Sequence, residues 1–293
     1  MNNLYFTFIE GMESVVLAPN SELSPFIEKY VFFECRNVQT DIDFKLVSNG
    51  KVELLVVFNK DYILVKNDSQ ISHYSNCIFG ISCLSNSIEF RVVSKKSCFK
   101  GVSVIFHFRG VYDLLNLELK SITNRVVCFE TVLGISVDML VKNISNAICS
   151  KSIENILNKF FMILMKRDVF NNYSFLIRNR VKNNFLSILN MIIKKNGNCT
   201  VNSLSKDFNQ SSRTIHRMFI CNIGLSPKDY MKIIRFNHAC NIMTAFPEKD
   251  WFDIICSCGY YDQMHFIHEF KSVMKYPPMK FLRKNSTLKS RVI

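Results

Sequence analysis

A chain of 293 residues, 48% hydrophobic and 21% charged, is long enough for two ordinary domains and lacks the composition of a disordered protein. Its net charge of +13 is uneven: from Asn190 onward 16 Lys and Arg face 7 Asp and Glu, against 21 and 17 before it. That leaves +9 in the C-terminal third and +4 elsewhere, which points to a polyanionic partner for the C-terminal part. The opening MNNLYFTFIEGMES has no basic segment followed by an apolar core, and the longest apolar runs, Leu54 to Phe58 and Phe160 to Met165, are too short to cross a bilayer. A cytoplasmic location without a membrane partner is expected. Eleven cysteines without paired metal-ligand spacing then argue against disulfides, and Cys256 and Cys258 read as small helix residues.

Residues 1 to about 145 read as strands. Val52 to Phe58, Tyr62 to Val65, Ile88 to Val93 and Val102 to Phe108 are β-branched or aromatic runs separated by Gly, Asn, Ser, Asp and Lys clusters, which predicts an antiparallel sandwich or small barrel. From Ser136 the period changes. Val137, Leu140, Val141 and Ile144, then Ile153, Ile156, Leu157, Phe160 and Phe161, recur at helical spacing. The second stripe suits either a dimer surface or packing on the sandwich. Residues 165–180 bridge to a C-terminal part that is helical to near its end.

That part contains a repeat. Leu204 to Tyr230 and Ile254 to Phe281 align with Phe219 on Phe270, Ile215 on Phe266, Pro227 on Pro278 and Tyr230 on Phe281, an offset of 51 residues. Each copy reads as a short helix, a turn at Asn209 or Gly259, and a second helix. In the second helices Ile215, Met218 and Phe219, like Phe266, Ile267 and Phe270, fall on an inward face, whereas Arg213, His216, Arg217 and Met264, His265, His268 fall on the outward one. This is the outline of a helix-turn-helix. Between the copies, Pro227 to about Ala245 reads as one helix with Ser226 as N-cap and Pro227 in its first turn. About nineteen residues span roughly 28 Å, a rod able to hold two recognition helices about one duplex turn apart.

From about residue 188 to 285 the chain resembles the DNA-binding domain of AraC/XylS-type transcription regulators. LSKDFNQSSRTIHRMF is similar to the first helix-turn-helix, IGLSPKDYMKIIRFNHACNIM to the linker helix, and GYYDQMHFIHEFKSVMKYPPMKFLR to the second unit with its Pro-x-x-Phe ending. The resemblance implies a reading head that places two helices in successive major grooves of double-stranded DNA. It carries base-facing roles onto Ser211, Ser212, Arg213, His216 and Arg217, and onto Gln263, Met264, His265 and His268. Arginines at these positions suit guanine edges, Gln263 adenine or phosphate, and Met264 a thymine methyl. Two departures stand out: Lys275 occupies a position where the family usually has glycine, asking for a different loop, and Ile255 one where alanine is common.

The N-terminal segments LSPFIEKY, LLVVF, GVSVIFHFRGVYDLL and Val127 to Gly134 resemble the cupin-like sensor domain of one branch of these regulators, with Arg109 and Gly110 where proline and glycine are common. The fold class is then α+β: a cupin-like sensor or dimerisation domain over 1–165, a linker over 166–185, and an all-α domain of two helix-turn-helix units joined by a long helix over 186–286. RNA polymerase, a small-molecule effector and a second copy of the chain are the further partners the resemblance implies. No enzyme activity and no cofactor are expected, because His73 and His107 stand without the histidine cluster or paired carboxylates of a metal centre. Two alternatives stay open: a nonspecific nucleoid binder, and a DNA-repair methyltransferase on the same reading head, for which Cys35, Cys77, Cys83 and Cys98 are irregularly spaced.

Overall fold

The computed structural model describes residues 12–36, 42–46, 50–57, 62–67, 70–75, 78–81, 88–93, 98–115, 117, 119–123, 126–128, 130, 137–147, 149–168 and 175–282. Ten strands lead: β1 (Met12–Leu17), β2 (Ile27–Arg36), β3 (Ile42–Leu46), β4 (Val52–Val57), β5 (Tyr62–Asn67), β6 (Gln70–Ser75), β7 (Ile78–Ile81), β8 (Ile88–Val93), β9 (Cys98–Phe106) and β10 (Val126–Cys128). They form a six-stranded sheet in the order β1-β2-β9-β4-β7-β10 and a four-stranded sheet in the order β3-β8-β5-β6. Every pairing is antiparallel, as the short alternating runs require. His73 lies on β6 opposite Leu64. Cys77, Cys83 and residues 131–134 lie outside the described residues.

The last expected strand ends earlier than its apolar run. β9 stops at Phe106, and Phe108 opens a short helix, α1 (Phe108–Asp113). Gly110 decides this turn, since a Cβ there would come within 2.0 Å of the Phe26 carbonyl oxygen. The neighbouring Arg109 lies over the Phe26 ring at 5.8 Å and pairs with Asp113 at 2.9 Å. After α2 (Leu119–Ile122) and β10 come α3 (Asp138–Ser145) and α4 (Ser150–Asp168).

The stripe of α4 packs on the six-stranded sheet. Ile153, Leu157, Phe161 and Leu164 are buried, with Phe161 stacked on Tyr30 of β2 at 6.5 Å and edge-on to Phe106 of β9 at 5.6 Å. Tyr30 also donates to Asn158 Oδ1 at 3.0 Å. Further helices follow: α5 (Phe175–Lys194), α6 (Val201–Asp207), α7 (Ser212–Asn222), α8 (Pro227–Ala245), α9 (Trp251–Ser257) and α10 (Gln263–Met274).

Among the described residues, two buried clusters hold these elements. The larger runs from the six-stranded sheet through α4 and α5 into α6, α7 and the first half of α8, ending at Ile234. The smaller begins at Phe236 and contains α9, α10 and Phe281. The first helix-turn-helix therefore shares a core with the β-domain, whereas the second has its own. Tyr230 marks the shared side: its hydroxyl donates to the Gly50 carbonyl at 3.1 Å, and its ring lies 5.8 Å from those of Phe108 and Phe219.

Candidate nucleic-acid interface

Each reading unit is built by its caps. Thr200 starts α6 with a capping box, its hydroxyl accepting from the Ser203 N–H at 3.0 Å while Ser203 Oγ accepts from the Thr200 N–H at 3.2 Å. Asn209 then turns the chain with φ 50°, and Ser211 caps α7 by accepting from the Thr214 N–H at 3.0 Å. In the second unit Asp250 caps α9, Gly259 turns the chain with φ 72°, and Asp262 caps α10 by accepting from the His265 N–H at 2.7 Å. The offset of 51 relates α7 to α10, but the helices before the turns end at Asp207 and Ser257, so the second turn is one residue longer. That extra residue admits the buried Tyr260.

The expected faces are present. Ile215, Phe219, Phe266 and Phe270 are fully buried, Met218 and Ile267 half-buried, and Ser211, Ser212, Arg213, His216, Arg217, Gln263, Met264, His265 and His268 exposed. Arg213, His216 and Arg217 form one donor-rich strip on α7, and neither arginine makes an ion pair among the described residues. Ser211 has a structural task besides, since its hydroxyl caps the helix and pairs with Thr214 Oγ1 at 2.8 Å. Ser212 Oγ reaches Asn202 Oδ1 at 3.4 Å, tying the recognition helix to α6. On α10 the outward strip is less charged, with Met264 72% and Tyr261 92% exposed at its start.

The two departures resolve differently. Lys275 keeps the left-handed cap that a glycine would supply, with φ 65° and its N–H donating to the Lys271 carbonyl. The different loop expected there does not form: α10 closes with this single left-handed bond, and Met274 and Phe281 beside it lie in the core. Ile255 is buried in that cluster beside Cys258, filling space that an alanine would leave.

Sequence reasoning did not single out Asp262, Tyr260 or Glu269. Asp262 had a signal, an aspartate just before an apolar-periodic run. Glu269 shares the inward face of α10 with Phe266 three positions before it, but its charge argues for a solvated side chain, yet it is 3% exposed. Among the described residues there is no group of three or more His, Cys, Asp or Glu able to hold a metal, and no helix is long and apolar enough to cross a membrane.

Where the β-domain meets the first unit, it supplies donors to the end of α7. Tyr112 donates to the Asn222 carbonyl at 3.2 Å, and the Thr123 hydroxyl donates to the Ile223 carbonyl. These are carbonyls that a helix end leaves without intrahelical partners. Beside this contact lies a cleft of about 890 Å³ between the β-domain and α5, lined by Glu28, Lys51, His107, Arg109, Asp113 and Asn190 among others. Burial lowers the His107 pKa from its ordinary value, with Glu28 and Lys51 acting in opposite senses.

Residues 204–284 match a family described as helix-turn-helix domain. They are an AraC-type DNA-binding domain. An apo structure of a lysine-to-alanine ToxT variant from Vibrio cholerae is similar in fold over 87% of this chain and 97% of its own, with a TM-score of 0.51 and 13% identity. Another Vibrio cholerae ToxT structure covers 95% of this chain and 99% of its own at 11% identity and a TM-score of 0.47. A probable AraC family transcriptional regulator from Rhodopseudomonas palustris covers 35% of this chain and 97% of its own at 23% identity and a TM-score of 0.32. No curated protein matches the chain in sequence.

Proposed function

We propose that this protein is a cytoplasmic, sequence-specific transcription regulator that inserts α7 and α10 into successive major grooves. The observation that carries the reading is the pairing of two capped recognition helices, each with a buried aromatic face and an exposed polar strip, at the two ends of the nineteen-residue helix α8. In the groove, Arg213 and Arg217 would donate to guanine O6 and N7, His216 and His265 to purine acceptors, and Gln263 to adenine; Met264 would cover a thymine methyl. Ser211, Ser212 and His268, the remaining base-facing positions the resemblance implies, would contact base edges or the adjoining phosphates. The proposed organisation keeps a sensor or dimerisation domain over 1–165 and the reading head over 186–286. The cleft beside α1 is the proposed effector entrance, because it adjoins Tyr112, which also touches the end of α7. A second copy and RNA polymerase are the protein partners this role calls for.

Site selection from random duplexes, followed by footprinting, tests it. Two protected segments about one turn apart, preferred by ~10³-fold or more over random DNA, are expected. A uniform affinity with a steep salt slope would instead identify a nonspecific nucleoid binder.

A further inference from the structure

The second unit is connected to the rest of the chain through a narrow joint. The larger core ends at Ile234 and the smaller begins at Phe236, so Arg235 of α8 lies where one gives way to the other. Its guanidinium carbon is 5.1 Å from the centre of the Tyr260 ring, and its Nη2 is 3.6 Å from Glu269 Oε2. The Tyr260 hydroxyl donates to Glu269 Oε1 at 2.8 Å, and His265 Nε2 lies 3.9 Å from Oε2. One buried carboxylate thus joins the linker helix, the turn and the recognition helix. Across the joint, a Cβ on Gly259 would come within 2.6 Å of the Asn198 side chain, so the turn of the second unit also rests against the segment before α6.

Stability alone does not account for this arrangement. Burying a carboxylate and a guanidinium costs desolvation that well-packed apolar residues avoid. The ion pair is longer than a hydrogen bond, and the buried Arg235 Nε has no hydrogen-bond partner among the described residues. What such contacts supply is direction, which apolar burial does not. Burial, and then the Glu269 carboxylate, raise the Tyr260 pKa far above its ordinary value, so its hydroxyl stays a donor.

We infer that Glu269, with Arg235 and Tyr260, is a positioning clamp that fixes the angle of α10 on α8 and so sets the spacing between the two DNA segments the protein accepts. The inference rests on the two-groove reading above. One inserted base pair turns the second segment by about 35° about the duplex axis, which a clamped head cannot follow and a loosened one can.

The test uses the full-length protein and its selected site with one base pair removed, none changed, or one or two inserted between the protected segments. The wild-type protein should lose ~tenfold or more at either single-pair change. Glu269→Gln and Tyr260→Phe should shrink that penalty to ~threefold or less while binding the optimal site within ~threefold of wild type. Thermal melts identify which variants are folded, and Tyr260→Phe, which keeps the ring, decides if Glu269→Gln is not. An unchanged spacing penalty in a folded variant overturns the clamp. A wild-type footprint of one segment instead of two overturns the two-groove reading itself, and the clamp with it.

Discussion

Truncating the equivalent phenylalanines of the two units should have unequal consequences, and the difference measures how the core is divided. Phe219 and Phe270 are both fully buried, but Phe219 belongs to the large cluster shared with the β-domain and Phe270 to the small one. Phe270 meets Phe236 at 5.3 Å, Phe266 at 5.7 Å and Phe281 at 5.6 Å, so Phe270→Ala removes the centre of an aromatic set. Such a truncation costs ~3–5 kcal/mol. A unit of roughly 50 residues has ~2–7 kcal/mol to lose, so the second unit should unfold. The larger body holds ~5–15 kcal/mol, and Phe219→Ala should leave it folded with a melting temperature lowered by ~6–20 °C. Calorimetry with amide exchange read by mass spectrometry separates the cases: Phe270→Ala should lose protection over 236–282 alone, with the main transition unmoved. A main transition lowered equally by both substitutions, or loss of protection in the same segments, would refute the division of the core.

Arg217→Ala should weaken specific binding by ~1–3 kcal/mol and relax preference at one or two base pairs, whereas equal loss on specific and random duplexes in a competition assay would make it a phosphate contact. Lys275→Gly should stabilise the second unit by ~0.5–1 kcal/mol, since relief of a left-handed residue outweighs the added flexibility of glycine; a lowered denaturation midpoint would contradict the cap. Tyr112→Phe combined with Thr123→Val should cost ~1–3 kcal/mol in urea unfolding and raise amide exchange at the end of α7, and unchanged exchange there would show that the β-domain does not hold that helix.

The parts of this fold legible in the sequence are those whose signals are local. Ser226 before Pro227 marks the start of α8, and its hydroxyl does accept from the Asp229 N–H at 3.1 Å. Asn209 and Gly259 mark turns because few other residues take positive φ, and both do. The three strands before β4 were passed over, and for β1 the reason is physical. Val15 and Val16 of β1 are about half exposed on an edge strand, so the run does not alternate between core and solvent as a half-buried strand should. On the candidate interface, the exposed strips of α7 and α10 follow from helical period alone. Glu269 does not, because a charged residue becomes buried only when distant partners satisfy it, and Arg235 lies 34 positions earlier. Lys275 shows the converse: tertiary packing of Met274 and Phe281 imposes a conformation its own side chain disfavours.

The least legible feature is the one that relates the domains. Nothing in the spacing of Tyr230 distinguishes a linker-helix residue packing on its own unit from one whose hydroxyl reaches Gly50, 180 positions away. Yet this contact, with Tyr112 and Thr123 at the end of α7, makes the first recognition helix part of the same packed body as the cleft. Close-packed interiors transmit displacement rather than absorb it, so a ligand that moves α1 would move α7 with it. The second recognition helix receives that movement through α8 with its Arg235 joint and through the turn at Gly259, which rests against Asn198. A signal entering at the β-domain would therefore change the relation between the two heads before it changed either head's own base contacts, and spacing preference, more than affinity for a single segment, is the property such a signal would alter.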